Sequence, residues 1–350
     1  MRFRPWRLAD LDAVERNGLR VASTFSGCGG SSLGYKLAGF DVVFASEFVP
    51  LAAATYRANA PTVEVDERDI RDLSGHELRE RFGEIDVLDG SPPCASFSIA
   101  GKRADDWGTT KSYSGRVQRT DDLFDEYARL VEELRPRSFV AENVAGFTQG
   151  VAIGYARRTT ARLRAAGYHV AARRLDAQWL GVPQHRERTI ILGVRTDVGP
   201  PPTFPKPQAD RVGMREALGD HIDGQLMTRD FGEHGGQRRS PTLPSMTICS
   251  STQGGNGRWP ASVAFAPAGP DPETGFHAVV SERIRRAFPT SSVRYFHLNE
   301  VRRLQSFPDD FELTGTWANR WERLGRAVPP MMMAAIAAEL VPILAGVPVP

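Results

Sequence analysis

Over the first half of the chain, short apolar runs rich in β-branched residues alternate with amphipathic stretches of helical period, and few folds accommodate that rhythm. Candidate strands cover 19–25, 42–46, 85–89, 138–142 and 189–194, and helical patterns cover 51–59, 76–82, 123–134 and 159–166. Such alternation predicts βαβ units around a mostly parallel sheet. The expected fold is α/β, with a doubly wound, Rossmann-like mixed sheet. In sheets of this kind ligands bind beyond the carboxyl ends of the strands. The chemistry is therefore sought just after each apolar run.

Near position 199 the texture changes. Residues 200–290 are rich in Pro and Gly with few periodic segments, as in PPPTFPKPQ and GGQRRSPTLPSMTICSSTQGGNGRW. Long irregular stretches in a compact protein are functional or unstructured. Apolar islands at 246–249 and 262–265 argue for a small, loop-rich second domain there. Helical patterns then resume at 298–306 and 331–344, so 1–199 and 291–350 are expected to form one domain around the insertion. The formal charge of +2 excludes neither nucleic-acid nor small-molecule partners. Arginines do cluster, however, at Arg135 and Arg137, Arg157–Arg158, Arg173–Arg174 and Arg302–Arg303; each cluster reads either as a solvated face or as part of a basic surface. Cys28, Cys94 and Cys249 are odd in number and show no metal-ligand spacing. No metal is expected, and a reducing, cytoplasmic setting fits. The longest apolar run, MMMAAIAAELVPILAGV, is interrupted by Glu339 and Pro342, so no membrane association is expected. A monomer is the simplest expectation.

Four constellations, at strand ends and one strand entry, carry the candidate chemistry. FSGCGGSSLG, residues 25–34, follows one run and opens a helical stretch, a context in which glycines let backbone approach a nucleotide-like ligand. Read alone it is equally a tight connection. Glu47 ends the next run, where a carboxylate can accept both hydroxyls of a ribose. Asp69-Ile70 offers an acceptor and an apolar wall for an adenine ring. No P-loop lysine follows the glycines, which favours an adenosyl ligand without a phosphate chain. In GSPPCASFS, residues 90–98, two prolines stiffen the turn just before Cys94. A lone cysteine is commonly a small buried hydrophobe, but rigid presentation at a strand end favours a nucleophile. The polar, basic segment 101–119 reads as a loop able to close over substrate. Glu142, in Ala141-Glu-Asn-Val144, ends a buried run and needs either an ion-pair partner or a task as an acid. In Gln184-His-Arg-Glu-Arg188, Arg186 and Arg188 would project to one side of an extended chain. There they would suit a phosphate or a carbonyl oxygen, or simply a solvated edge. His185 points the other way and reads as a surface residue.

Taken in order, FSGCGGSSLG, Glu47, Asp69-Ile70, SPPCASFS, ENV, QHRER, RLQSFPD (303–309) and LGRAVPP (324–330) resemble the DNA cytosine-C5 methyltransferases. The resemblance covers nearly all of the chain after Arg20, and segment 200–290 lies where that family keeps its target-recognition domain. It implies an S-adenosylmethionine-dependent enzyme acting on double-stranded DNA. Cys94 would add to C6 of a flipped-out cytosine, Glu142 would bind and protonate the N3/N4 edge, and Arg188 would hold O2 with Arg186 assisting. The donor would lie against Phe25, Gly27, Gly29, Gly30, Glu47, Phe48, Asp69 and Ile70, with Pro92, Leu123, Arg326 and Ala327 completing its pocket.

One residue departs from the family pattern. The final motif usually reads Gly-Asn-Ala-Val-Pro-Pro, and here Arg326 replaces the Asn. A fixed cation beside a sulfonium is unfavourable, whereas a donor bearing a carboxylate would give it a bidentate partner. Two readings follow: an ordinary methyltransferase with Arg326 turned to solvent or DNA, or a carboxymethyltransferase using carboxy-S-adenosylmethionine. A transfer-RNA cytosine-C5 methyltransferase has the same motifs, although a recognition segment of this length favours duplex DNA. A catalytically dead DNA-binding subunit is disfavoured by intact Cys94, Glu142, Arg186 and Arg188. A glycine-turn dehydrogenase explains only the first motif.

Overall fold

The computed structural model describes residues 2–93, 110–113, 116–119, 122–148, 152–227, 237–250, 263–277, 280 and 291–346. Contacts divide the chain into two compact units. Leu11–Leu175, Glu187–Lys206 and Met333–Pro350 form the larger, and Met1–Asp10, Asp176–Arg186 and Pro207–Met332 form the smaller. Between Arg186 and Glu187 the chain thus passes from one unit to the other, within the QHRER run.

Seven strands form the sheet of the larger unit. Their spatial order is β3 (Glu64–Asp66), β2 (Asp41–Ser46), β1 (Arg20–Thr24), β4 (Val87–Gly90), β7 (Ser138–Val144), β9 (Glu187–Arg195) and β8 (Tyr168–Asp176). Four neighbouring pairs, from β3 through to β7, run parallel, and β7 pairs antiparallel with β9. This is the mixed, parallel-dominated α/β sheet expected from the alternation. A separate antiparallel pair, β5 (Thr110–Tyr113) with β6 (Arg116–Arg119), occupies part of the segment read as a closing loop.

Successive strand residues face opposite ways. Ala22, Leu88, Phe139 and Ala141 point to one face and pack against helices α3 (Gly75–Phe82), α4 (Leu123–Leu134) and α5 (Ala152–Ala165). The buried residues of α4 (123, 124, 127, 128, 130, 131 and 134) recur at helical spacing and make a continuous apolar stripe. Each large side chain so buried contributes roughly 1.5–3 kcal/mol. Close approach at the strand end requires glycine: a Cβ on Gly90 would lie 2.5 Å from the Tyr127 ring. Ser23 and Asp89 point to the opposite face, where α1 (Gly30–Leu37) meets them through Tyr35.

The smaller unit contains a four-stranded antiparallel sheet in the order β11 (Gln237–Arg239), β10 (Gln225–Met227), β12 (Val263–Phe265), β13 (Val293–Tyr295). Leu226, Val263, Phe265 and Val280 are its core. Strands this short bury little apolar surface, and polar ties supplement them. Buried Glu300 accepts two hydrogen bonds from Arg294, at 2.6 and 2.7 Å, and one from His221 at 2.9 Å. Among the N-terminal residues, Trp6 donates its indole N–H to the Ser306 carbonyl at 3.1 Å.

Candidate active site

The glycine loop after β1 has an unusual backbone that its residues explain. Phe25, Gly27 and Gly29 have positive φ values of 51°, 56° and 98°. Gly29 is doubly required, because a Cβ there would lie 3.1 Å from the Tyr56 ring in a conformation L-residues rarely adopt. A Cβ on Gly27 would meet nothing within 4 Å, so its backbone faces open space. Gly30 opens α1.

Glu47, buried beyond β2, holds this loop to the next strand end. Its carboxylate accepts the amide N–H groups of Gly27 and Val49, both at 2.7 Å. These two bonds fix the carboxylate at the strand end beside the glycine loop. Phe48, next in the chain, is half-buried. At the third turn, Asp69 accepts from the backbone and guanidinium of Arg71, which also pairs with Asp122 at 2.5 Å. Ile70 and Leu123, 3% and 0% exposed, belong to the hydrophobic core. Open glycine backbone at Gly27, a buried carboxylate beside it and a third turn carrying Asp69 fit an adenosyl ligand without phosphates.

Beyond β4 the chain runs into Pro92 and Pro93, and Cys94 itself lies outside the described residues. The turn is held by a residue whose part the sequence reading did not foresee. Asn143 donates from Nδ2 to the Pro92 carbonyl at 3.2 Å, while its Oδ1 accepts the Val144 amide at 2.9 Å. Glu142 is buried on β7, and Arg188 on β9 donates to its Oε1 at 2.7 Å. The register places Arg188 opposite Val144, two residues beyond Glu142 and on the same face.

Asp89 was also missed. It is 1% exposed on β4, with Ser23 Oγ at 2.9 Å and Tyr35 Oη at 3.3 Å as hydrogen-bonding partners. Burial pushes its carboxyl up to about 7, with nearby Glu142 adding to the rise and the hydroxyls of Ser23, Tyr35 and Ser31 opposing it. Ser23, Asp89, Glu142 and Arg188 thus form a polar row across four adjacent strands on one face of the sheet. An acidic residue inside the apolar run at 85–89 was the available sign.

The side-by-side pairing expected of Arg186 and Arg188 is corrected by the structure. Arg186 belongs to the smaller unit and is 1% exposed. Its guanidinium donates to the carbonyls of Ala327 (2.9 Å), Gly325 (3.1 Å) and Ile248 (3.3 Å). It is a positioning residue for the turn that carries the final motif. The strand begins only at Glu187, so period-two alternation does not extend back to position 186. In that turn Ala327 is buried, whereas Arg326 is 47% exposed and donates from Nε to Glu322 at 2.9 Å. His185 is half-buried and its Nδ1 lies 2.6 Å from Asp176.

The family model for C-5 cytosine-specific DNA methylases matches residues 19–342. The chain is 32% identical over 336 residues to the type II methyltransferase M1.HphI of Haemophilus parahaemolyticus, covering 91% of this chain and 86% of that protein. It is 29% identical over 367 residues to the type II methyltransferase M.XorII of Xanthomonas oryzae pv. oryzae, covering 90% and 83%. Among solved structures, the fold is similar to that of a DNMT2 variant from Spodoptera frugiperda, with a TM-score of 0.64 and 18% identity over 94% of this chain and all of that one. The Dnmt2 methyltransferase of S. pombe gives 0.63 and 18% over 93% and 98%.

Proposed function

Because the chain belongs to the C-5 cytosine-specific DNA methylase family, we propose that it methylates carbon 5 of cytosine in double-stranded DNA through a covalent Cys94 adduct. The observation that carries this reading is the buried Glu142–Arg188 pair at 2.7 Å, on the unit that also holds the glycine loop and the Pro-Pro turn preceding Cys94. A carboxyl and a guanidinium side by side match the two polar edges a cytosine offers, N3/N4 and O2.

Each side chain has a physical task. Cytosine C5 is a poor nucleophile while its ring is aromatic. The Cys94 thiolate forms a bond to C6, the displaced π pair moves toward C5, and Glu142 supplies a proton at N3 so that no negative charge accumulates on the ring. Arg188 holds O2. S-adenosylmethionine, which methyltransferases of this family use, supplies an electrophilic methyl group when bound. Gly27 and Gly29 would admit it, Glu47 would accept its ribose hydroxyls, and Asp69 would face its base. A water molecule then takes the C5 proton, the electron pair of that bond expels the Cys94 thiolate, and the N3 proton returns to Glu142, which restores aromaticity. A stacked base offers no access to C6, so the cytosine must be flipped out. Segment 200–290 serves in this reading as the target-recognition part.

Methyl, rather than carboxymethyl, is the group transferred in this reading. Arg326, whose charge alone would call for a carboxylated donor, is half-exposed and already has Glu322 as a partner. The test is a duplex carrying 5-fluorocytosine at the mapped target, incubated with donor and denatured. The wild-type protein should remain attached and Cys94→Ala should not; a wild-type protein that releases the duplex refutes the adduct. Mass spectrometry of nucleosides from unmodified DNA, with both donors offered, should show 5-methylcytosine, and 5-carboxymethylcytosine as the main product would reverse the choice of donor.

A further inference from the structure

Two arginines of the smaller unit carry charge that its described residues do not neutralise. Arg211 is exposed; its guanidinium lies 4.9 Å over the Trp179 ring and donates to Gln178 Oε1 at 3.4 Å. Arg239, the last residue of β11, is half-buried and donates from Nε to the Pro244 carbonyl at 2.5 Å. Neither has a carboxylate within 4 Å among the described residues, and both terminal amino groups of Arg239 lack a protein acceptor there. Burial, and then the nearby charge of Arg211, hold the Arg239 guanidinium below its ordinary pKa. Asp176 is the acid that opposes this effect. Its oxygens are already shared among His185 at 2.6 Å, the Gln178 side chain at 2.5 Å and the Arg186 amide at 3.0 Å.

The two arginines converge on one neighbourhood: Gln178, which Arg211 bonds, lies 3.1 Å from His185 Nδ1, the His185 amide donates to the Ser245 carbonyl at 2.8 Å, and Arg239 is bonded to the adjacent Pro244. Like charges placed so are unfavourable until an anion joins them. The surroundings are built to hold them there regardless. Trp179 supports the flat face of one guanidinium, Gln178 fixes its edge, and the Pro244 carbonyl anchors the other by Nε alone. That leaves the exposed Arg211 guanidinium and the terminal amino groups of Arg239 as donors, and paired guanidinium forks suit tetrahedral phosphate oxygens.

We propose that Arg211 and Arg239, braced by Trp179 and Gln178, clamp a backbone phosphate of duplex DNA. The clamp rests on the DNA-methylating reading above and adds to it a contact that fixes the smaller unit on its substrate without reading sequence. Phosphate contacts set register and orientation, whereas base contacts specify. Loss of the clamp therefore weakens binding to target and unrelated duplexes alike.

The full-length protein and its Arg211→Gln, Arg239→Gln and doubly substituted variants are titrated with labelled target and unrelated duplexes across a series of salt concentrations. Each neutralised phosphate contributes about 0.9 to the slope of log K against log salt. The double variant should lose about that much slope on both duplexes, with affinity down roughly tenfold at low salt. Melting of the free protein should be no lower than wild type, because a repulsion is removed; Arg211→Gln, altered only at an exposed side chain, should show part of the slope change even if Arg239→Gln perturbs folding. Variants that keep the wild-type slope overturn the clamp alone. A wild-type protein that binds no duplex at any salt concentration overturns both the clamp and the reading beneath it.

Discussion

Replacing Asp89 by Asn should make the protein more stable, and increasingly so as pH rises. Asp89 sits among Ser23, Tyr35 and Ser31, and burial moves its carboxyl from the ordinary 3.8 to about 7. Between those values the folded chain binds more protons than the unfolded one, so stability is greatest below about pH 4. It then falls as pH rises toward 7 and levels off above. The interval is roughly three pH units at about 1.4 kcal/mol each, or about 4 kcal/mol in all. Asn keeps the shape, can bond the same hydroxyls and carries no charge, so its stability lacks this slope. Carboxylates held low by partners, such as Asp66 beside Arg68 and Glu300 beside Arg294, titrate alike in both proteins and cancel in the difference. Urea unfolding followed by far-UV circular dichroism, from pH 5 to pH 8, should show the advantage of Asp89→Asn growing by about 3 kcal/mol. Parallel stability curves over that range would refute the assignment of a neutral carboxyl to this position.

Gly29→Ala places a Cβ 3.1 Å from the Tyr56 ring at φ 98°, a conformation costing an L-residue about 1–2 kcal/mol. S-adenosylmethionine binding should weaken roughly tenfold in calorimetric titration, and an unchanged affinity would detach this loop from the donor site. Arg186→Met leaves three buried carbonyls without their donor and, at about 1–3 kcal/mol for each unsatisfied group, should cost at least about 3 kcal/mol. Tryptophan fluorescence reports it, since Trp6, Trp179, Trp317 and Trp321 all lie in the smaller unit; a variant melting with wild type would show that Arg186 does not hold the turn.

Elements with strong apolar periodicity were legible in the sequence, and the rest were not for identifiable reasons. β1, β2, β4, β7 and β9 are interior strands buried on both faces, so their runs are almost continuously apolar. β3 and β8 are the two edges of the sheet; Glu64-Val-Asp66 and the Arg173-Arg174 stretch of β8 face solvent and show no apolar run. In the candidate site, Glu47, Glu142 and Arg188 could be found because a charge at the end of a buried strand has few explanations. Asn143 and Arg186 could not, since each acts on main-chain carbonyls supplied by distant residues, Pro92 in one case and Ile248 and Gly325 in the other. No local pattern announces such a partner. The passage between units at Arg186 and Glu187 is equally silent, because a polar run reads the same whether or not it spans two bodies.

That Arg186 donates to main-chain oxygens of Ile248, Gly325 and Ala327 bears on how the smaller unit can vary. Every residue type presents the same carbonyl, so the segment from Pro207 to Met332 can diverge, or be exchanged wholesale between relatives, without rewriting this anchor. A chimaera joined before Asp176 would carry its own anchor with it, whereas one joined only at Pro207 would depend on whichever arginine the host retained.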